Sequence, residues 1–341
     1  MQNTSNMQIV YISNRPAQLI ETIAYVEYYM PFITDGIIVC PHSQHADLNN
    51  IESNINFVII SEDEILGKKF DSFQHLDHQK KNFLLRTETA RHPAIKSEYI
   101  MSDDDARPLK SVTLDHYKQS DRYHSYYFYD LEDWRFGFNE FDVGQQNTCQ
   151  VLKYFDLPHL SYASHMPQII NRDIFLEMAE LFSNISQDYA VCEWSTYFNY
   201  AQSKYPEKFH QPGPFQTLCW PDFPTSWPHA VRPEAYFFEN FTADLYTDAQ
   251  PFKDIPTSFS SQFQDKINLE KILRWYQHEL RCQYPDGWKD INAINYPLWK
   301  KVFLYLLLPI KKVDKQINWE TSEKISQIAS DIEQIQRSFE R

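Results

Sequence analysis

A chain of 341 residues that is 43% hydrophobic and 16% aromatic is long enough to bury a substantial core, as one large domain or one domain with an appendage, and is not a disordered chain. Its formal net charge of -14 and pI of about 5.3 exclude a broad basic surface for nucleic acid, so no nucleic-acid partner is expected. An acidic protein that handles anionic nucleotides needs a cation or local arginines. With only six glycines, the chain holds neither a glycine-rich phosphate loop nor a GxGxxG fingerprint.

The five cysteines (Cys40, Cys149, Cys192, Cys219, Cys282) are odd in number and scattered, with no CxxC pair. They indicate neither a zinc site nor a disulfide scaffold, and reduced thiols in a cytoplasmic compartment are expected. No basic segment followed by a long apolar one stands at the N-terminus, so no secretory signal is expected.

In chain order, Gln8-Ile9-Val10-Tyr11-Ile12 predicts a first buried strand, Ser13-Asn14-Arg15-Pro16 a turn out of it, and 19–29 a helix. Gly36-Ile37-Ile38-Val39-Cys40 and Asn56-Phe57-Val58-Ile59-Ile60 predict two more strands. Strand, helix, strand, strand is the opening of a doubly wound α/β domain. Glu62-Asp63-Glu64 reads as the start of a polar linker, and 77–91 as a helix with Phe83, Leu84 and Leu85 as core contacts. Arg86 and Lys80 or Lys81 on that helix either face a nucleotide or are exposed helical charges.

The most informative stretch is Glu98-Tyr99-Ile100-Met101-Ser102-Asp103-Asp104-Asp105, a short apolar strand that ends in three consecutive carboxylates. Alternation along a strand would point Asp103 and Asp105 one way and Asp104 the other. Two carboxylates on one side, next to a third, suit a hard divalent cation that keeps open positions for phosphate oxygens. A bound cation would also relieve their mutual repulsion. The alternative is a solvated acidic turn. Open α/β sheets bind ligands beyond the carboxyl ends of their strands. The first strand's end at 13–15 would lie near Asp103 in such a sheet, where Arg15 either offsets phosphate charge or is a surface loop arginine.

Farther on, Tyr123 to Tyr129 predicts a strand. The segment 130–142, with Trp134 and Phe136, supplies rings either for the core or for stacking on a sugar's apolar face. His165, just ahead of Met166-Pro167, is expected in an extended or turn conformation, and 173–182 as a helix with Asn171 near its start. In Val191-Cys192-Glu193-Trp194-Ser195-Thr196-Tyr197-Phe198 a carboxylate sits in apolar surroundings beside a tryptophan. Such surroundings raise a carboxylate pKa and suit acid/base work; otherwise Glu193 is a buried carboxylate hydrogen-bonded for structural reasons.

Between Pro206 and Pro233, dense prolines and aromatics, Trp220 and Trp227 among them, exclude a long helix and predict an ordered loop region, a lid or acceptor wall. The C-terminal third reads as helical at 267–282 and 296–308. A final helix carries Ile325, Ile328, Ile332, Ile335 and Phe339 as a short heptad seam that either docks on its own domain or pairs in a homodimer. Lys300, Lys301, Lys311 and Lys312 flank the apolar run 302–308, which is too short to span a bilayer. That helix is either a core helix with basic ends or a peripheral contact to an anionic membrane surface.

The strand and its acidic triplet resemble the DxD-type motif of GT-A-fold glycosyltransferases, which use nucleotide sugars. The run from Arg91-His92-Pro93-Ala94 to Ile100 ahead of the triplet, and His165-Met166-Pro167 with Asn171-Arg172-Asp173 after it, are similar to the Stealth-type capsule sugar-phosphate transferases. The resemblance covers 8–40, 75–110 and 160–200. It implies a GT-A-like doubly wound mixed sheet, with a nucleotide-sugar-binding and catalytic domain at 1–260 and a helical C-terminal extension at 261–341. It implies a Mn or Mg ion on Asp103 and Asp105, with His165 either as a further metal ligand or as a contact to the donor or acceptor sugar. Ser13, Asn14, Arg15, Arg86, Asp103 and Asp104 are implied around the nucleotide sugar. Glu193 is implied as the residue that deprotonates or binds the acceptor hydroxyl.

The expected reaction is metal-dependent transfer of a sugar from a nucleotide sugar, UDP-linked, to a glycan or lipid-linked glycan. The implied context is a bacterial surface polysaccharide, such as capsule or lipopolysaccharide, made in the cytoplasm or at the inner face of the membrane. Two alternatives stay open: transfer of a sugar 1-phosphate from the same donor class, and a non-catalytic carbohydrate-binding protein with aromatic platforms and a calcium site.

Overall fold

The structure, a computed structural model, describes residues 6–49, 51–134, 139–218 and 233–283. The tryptophan-rich segment 219–232, Phe136, the lysines around 302–308 and the heptad seam at 325–339 lie outside the described residues, and with them the proposed membrane and homodimer contacts. The chain divides into two compact units. One comprises Met1–Cys219, Phe238–Phe241 and Ser258–Ser261; the other comprises Trp220–Phe237, Thr242–Thr257 and Gln262–Arg341.

The first unit opens as the periodicity predicts, with β1 (Met7–Ile12), α1 (Pro16–Tyr29), β2 (Ile33–Cys40) and β3 (Asn56–Ser61). The acidic run that follows is not a linker. It forms α2 (Glu62–Leu66), with Glu62, Asp63 and Glu64 in the first turn, where carboxylates meet the positive end of the helix dipole. Next, α3 (His78–Arg91) is capped by Asp77, whose carboxylate accepts from Lys80 N at 2.8 Å. The chain then runs through β4 (Glu98–Ser102), α4 (Glu140–Tyr154), β5 (Gln168–Asn171), α5 (Arg172–Leu181) and α6 (Glu193–Lys204). Asn171 caps α5, accepting from Ile174 N at 3.2 Å.

These strands build one sheet in the order β5-β4-β1-β2-β3. Four strands are parallel and β5 runs antiparallel on the β4 edge, so the mixed α/β sheet expected from the sequence is present. From β1 the chain steps through β2 to β3, then returns to place β4 on the other side of β1. Right-handed crossovers in opposite directions put α1 and α3 on opposite faces. The step direction reverses between β1 and β4, and the crevice beyond their carboxyl ends is where such sheets bind ligands. Ile9, Ile38, Val39, Ile100 and Ile170 are fully buried, each burial contributing about 1.5–3 kcal/mol. At Gly36 an added Cβ would stand 2.3 Å from the Phe57 ring, so glycine alone lets β3 pack that ring against β2.

The strand predicted over Tyr123 to Tyr129 is broken into Arg122–Tyr123, Tyr126–Tyr127 and Tyr129–Asp130. Each piece pairs with a different neighbour. The aromatic alternation is real, but no single partner strand runs alongside it. Trp134 is buried, with Nε1 donating to Asp142 at 3.2 Å, so this ring serves the core. In the second unit, α7 (Gln264–Gln283) covers the predicted helix. Among the described residues, no helix is long and apolar enough to cross a membrane.

Candidate active site

The acidic triplet sits beyond the end of β4, in a tight turn closed by Ala106 N donating to Asp103 O at 3.3 Å. Strand alternation therefore does not set the directions of its side chains; the turn does. Its backbone is pinned by Thr22 Oγ1 of α1 donating to Asp104 O at 2.6 Å, and by Phe241 N donating to Asp105 O at 2.8 Å. Asp104 turns inward and is 4% exposed. It accepts from Ser13 Oγ, from Arg15 Nε at 3.1 Å and from Arg15 Nη2. The same Nη2 reaches Asp105 Oδ2 at 2.9 Å. One arginine from the end of β1 thus spans two carboxylates from the end of β4.

Asp105 keeps one oxygen in reserve: Oδ1 is buried and has no hydrogen-bond donor. Burial, and then the neighbouring Asp103, push the Asp105 carboxyl above its ordinary value, against the pull of His165 and Arg15.

Arg86 stitches three elements together. From α3 its Nη2 donates to Asp103 Oδ1 at 2.7 Å. Its Nε lies 2.9 Å from Glu193 Oε1 at the first residue of α6, in ionic contact but without hydrogen-bond alignment. The guanidinium carbon lies 4.9 Å from the centre of the Trp194 ring. Burial opposes the guanidinium charge, but Asp103 and Glu193 outweigh it and raise the Arg86 pKa. Its Nη1 is buried with no acceptor. Burial pushes the Glu193 carboxyl up, opposed by Arg86. The start of α6 is held by Cys192 N donating to Thr148 Oγ1 of α4 at 2.8 Å, and by Tyr162 N donating to Ser195 Oγ at 3.0 Å.

These groups border a cavity of about 580 Å³ at the switch point, within the size range of small-molecule sites. Ser13, Asn14, Arg15, Arg86, Asp103, Asp104, Asp105, His165 and Glu193 all line it. Lys81 also lines it, whereas Lys80 turns to Asp77 at 3.5 Å. His165 adopts φ of 48°: the steric rule for a residue before proline acts on Met166, which leaves His165 itself in a left-handed turn.

Glu62 also lines the cavity, although its acidic run reads in the sequence as the start of a polar linker. The signal was there, since Glu62 follows β3 as Asp103 follows β4, at the same edge of one sheet. When ionised, Glu62, Asp103, Asp104, Asp105 and Glu193 face Arg15, Lys81 and Arg86, leaving an excess of two negative charges.

Among the described residues, the group of three His, Cys, Asp or Glu side chains whose ligand atoms all lie within 4.8 Å of one another is Asp130, Glu132 and His159. Asp103, Asp105 and His165 are not drawn together to that degree. The group at Asp130 lies outside the cavity and is already paired: His159 Nδ1 is 3.1 Å from Asp130, and Lys153 Nζ is 2.6 Å from Glu132. Cys40, Cys149 and Cys192 are buried free thiols.

No protein-family model matches the chain, and no curated protein matches it. Among solved structures it is similar to the galactosyltransferase LgtC in complex with donor and acceptor sugar analogs, at 12% identity over 77% of this chain and 95% of that one, with a TM-score of 0.41. It is similar also to the apo form of mouse xyloside xylosyltransferase 1, at 10% identity over 70% of this chain and 98% of that one, with a TM-score of 0.40.

Proposed function

We propose that this cavity is the active site of a metal-dependent glycosyltransferase, within 1–260, that moves a sugar from a nucleotide sugar to a glycan or lipid-linked glycan. The observation that carries the reading is the charge of the cavity. With its carboxylates ionised the site already has two negative charges in excess, and a nucleoside diphosphate brings at least two more. Unit charges 4 Å apart repel by about 4 kcal/mol at an effective dielectric of 20, so the donor needs a cation to enter. Asp103 and Asp105 would hold that cation, with His165 beside them. The donor chemistry fits a hard divalent ion such as Mn or Mg, and the buried Asp105 Oδ1 has no protein donor to satisfy it. When bound, the ion would neutralise charge developing on the leaving diphosphate.

The chain's own residues supply the rest. Ser13, Asn14 and Arg15 border the nucleotide side of the cavity, and Lys81 adds a charge for phosphate. Trp194 and Phe141 also line the cavity, where aromatic rings would border a sugar. Glu193 accepts the acceptor's hydroxyl proton as the new bond between acceptor oxygen and anomeric carbon forms. The bond from that carbon to the phosphate oxygen breaks, and the nucleoside diphosphate leaves with its electron pair. Arg86 positions Glu193 and Asp103 against each other. The bacterial polysaccharide context and the inner face of the membrane rest on the sequence resemblance alone.

The test is product analysis with UDP-sugars, Mn2+ and a glycan acceptor. Release of uridine diphosphate, lost in Asp105→Ala, is the expected result. Release of uridine monophosphate would make the enzyme a sugar-phosphate transferase. Calcium binding with no nucleotide affinity would make the protein a carbohydrate-binding module.

A further inference from the structure

We infer that Arg15 is an exchangeable stand-in for the divalent cation: it neutralises Asp105 while the cation is absent and gives up that contact when the cation binds, turning the freed arm to the donor's phosphates. The inference rests on the proposed metal site at Asp103 and Asp105.

Arg15 and Asp104 form a two-point contact, Nε to Oδ2 at 3.1 Å and Nη2 to Oδ1. The contact to Asp105 is a single arm, Nη2 to Oδ2 at 2.9 Å. The Asp104 contact is anchored, because Asp104 is 4% exposed and also bound by Ser13 Oγ. The Asp105 contact stands at the cavity edge, where the Arg15 side chain is 49% exposed. Breaking the second contact therefore leaves the first in place.

Arg15 holds Asp105 Oδ2 while Oδ1 is left without a donor, so a cation on that carboxylate would meet the positive charge of the guanidinium already on it. A second observation points to a ligand in the same cavity. Arg86, 7% exposed, lines it, and its buried Nη1 has no acceptor. An anion brought in with the cation would satisfy it. Arg15 thus becomes a coupling residue. It weakens cation binding when no nucleotide is present and strengthens nucleotide binding once the cation is in place, so that the two bind together.

The test uses the full chain and Mn2+ alone, with free Mn2+ read by electron paramagnetic resonance, and then uridine diphosphate at saturating Mn2+ by calorimetry. Arg15→Met is expected to bind Mn2+ alone about tenfold more tightly than the wild type, and uridine diphosphate with Mn2+ about tenfold more weakly. Lys81→Met removes the same charge from the same cavity without touching Asp105, and is expected to move Mn2+ affinity much less. Arg15→Lys, which keeps the charge but cannot span two carboxylates, is expected to fall between wild type and Arg15→Met in both titrations.

Equal or weaker Mn2+ binding by Arg15→Met overturns the inference. So does an equal gain in Lys81→Met, which would make the effect a general field. If Mn2+ binds the wild type at a site lost in Asp105→Ala but Arg15→Met leaves its affinity unchanged, the metal site stands and the exchange alone is wrong. If neither wild type nor variant binds Mn2+, the metal site and the exchange fall together.

Discussion

Glu193 in the first unit and Glu279 in the second are both 3% exposed, yet they are satisfied in opposite ways. Glu193 lies against the Arg86 guanidinium at 2.9 Å, at the edge of an open cavity. Glu279 accepts from Trp275 Nε1 at 3.2 Å and from the Tyr236 hydroxyl, both neutral donors. Burial pushes the Glu279 carboxyl up to about 8, whereas at Glu193 the same push is opposed by a charge. A buried carboxyl with neutral partners is held as an acid and serves packing. One held against an arginine at a cavity wall has a cation that favours its charged form, and loss of either partner leaves an unpaired ion behind. Burial alone did not separate the two; the partners did.

The largest effect should come from Glu193→Gln. Activity is expected to fall by about 10²–10⁴-fold, the usual contribution of a positioned base, with the fold retained by circular dichroism. Because Glu193 must be ionised to accept a proton and burial raises its pKa, the wild-type rate should be lost as pH falls, at a pH above the ordinary carboxylate value of 4.5. A kcat/KM profile with its acid limb at or below 4.5 would count against the assignment.

The comparison sharpens at Arg86. Arg86→Met leaves Glu193 and Asp103 without their cation, and urea titration should show a loss of about 3–5 kcal/mol, the usual cost of orphaning a buried ion pair. Glu279 gives a smaller, pH-dependent effect. Its folded pKa of about 8 exceeds the ordinary 4.5. Between those values the unfolded chain ionises while the folded chain keeps its proton. Its stabilising contribution is therefore full below 4.5 and is lost as pH rises through about 8. Calorimetry should show a wild-type Tm that declines over that window, and Glu279→Gln should flatten the decline. An identical decline in the variant would mean that Glu279 is not the acid responsible.

Much of the sheet was legible because its strands are continuous apolar runs bounded by turn residues, as at Ile9, Val10 and Tyr11. The acidic end of β4 was legible for the same reason: three carboxylates after a buried run mark a strand's mouth. The directions of those carboxylates were not legible, because a turn, not a strand, carries Asp103 to Asp105. The helix at Glu62 was hidden, since an acidic run reads as solvated until its place in a first turn is known. The strand at Tyr123 to Tyr129 failed because propensity says nothing about whether a partner strand runs beside it. Nothing in the sequence announced that Arg15 and Arg86 would divide the carboxylates between them, since those pairs join residues 17 to 107 positions apart.

The most direct measurement is calorimetric titration of the full chain with uridine diphosphate, once with Mn2+ and once with a chelator. With its carboxylates ionised, the cavity's excess of two negative charges predicts binding with Mn2+, at least tenfold weaker binding without it, and loss of that difference in Asp105→Ala. Equal binding in both conditions would contradict the account.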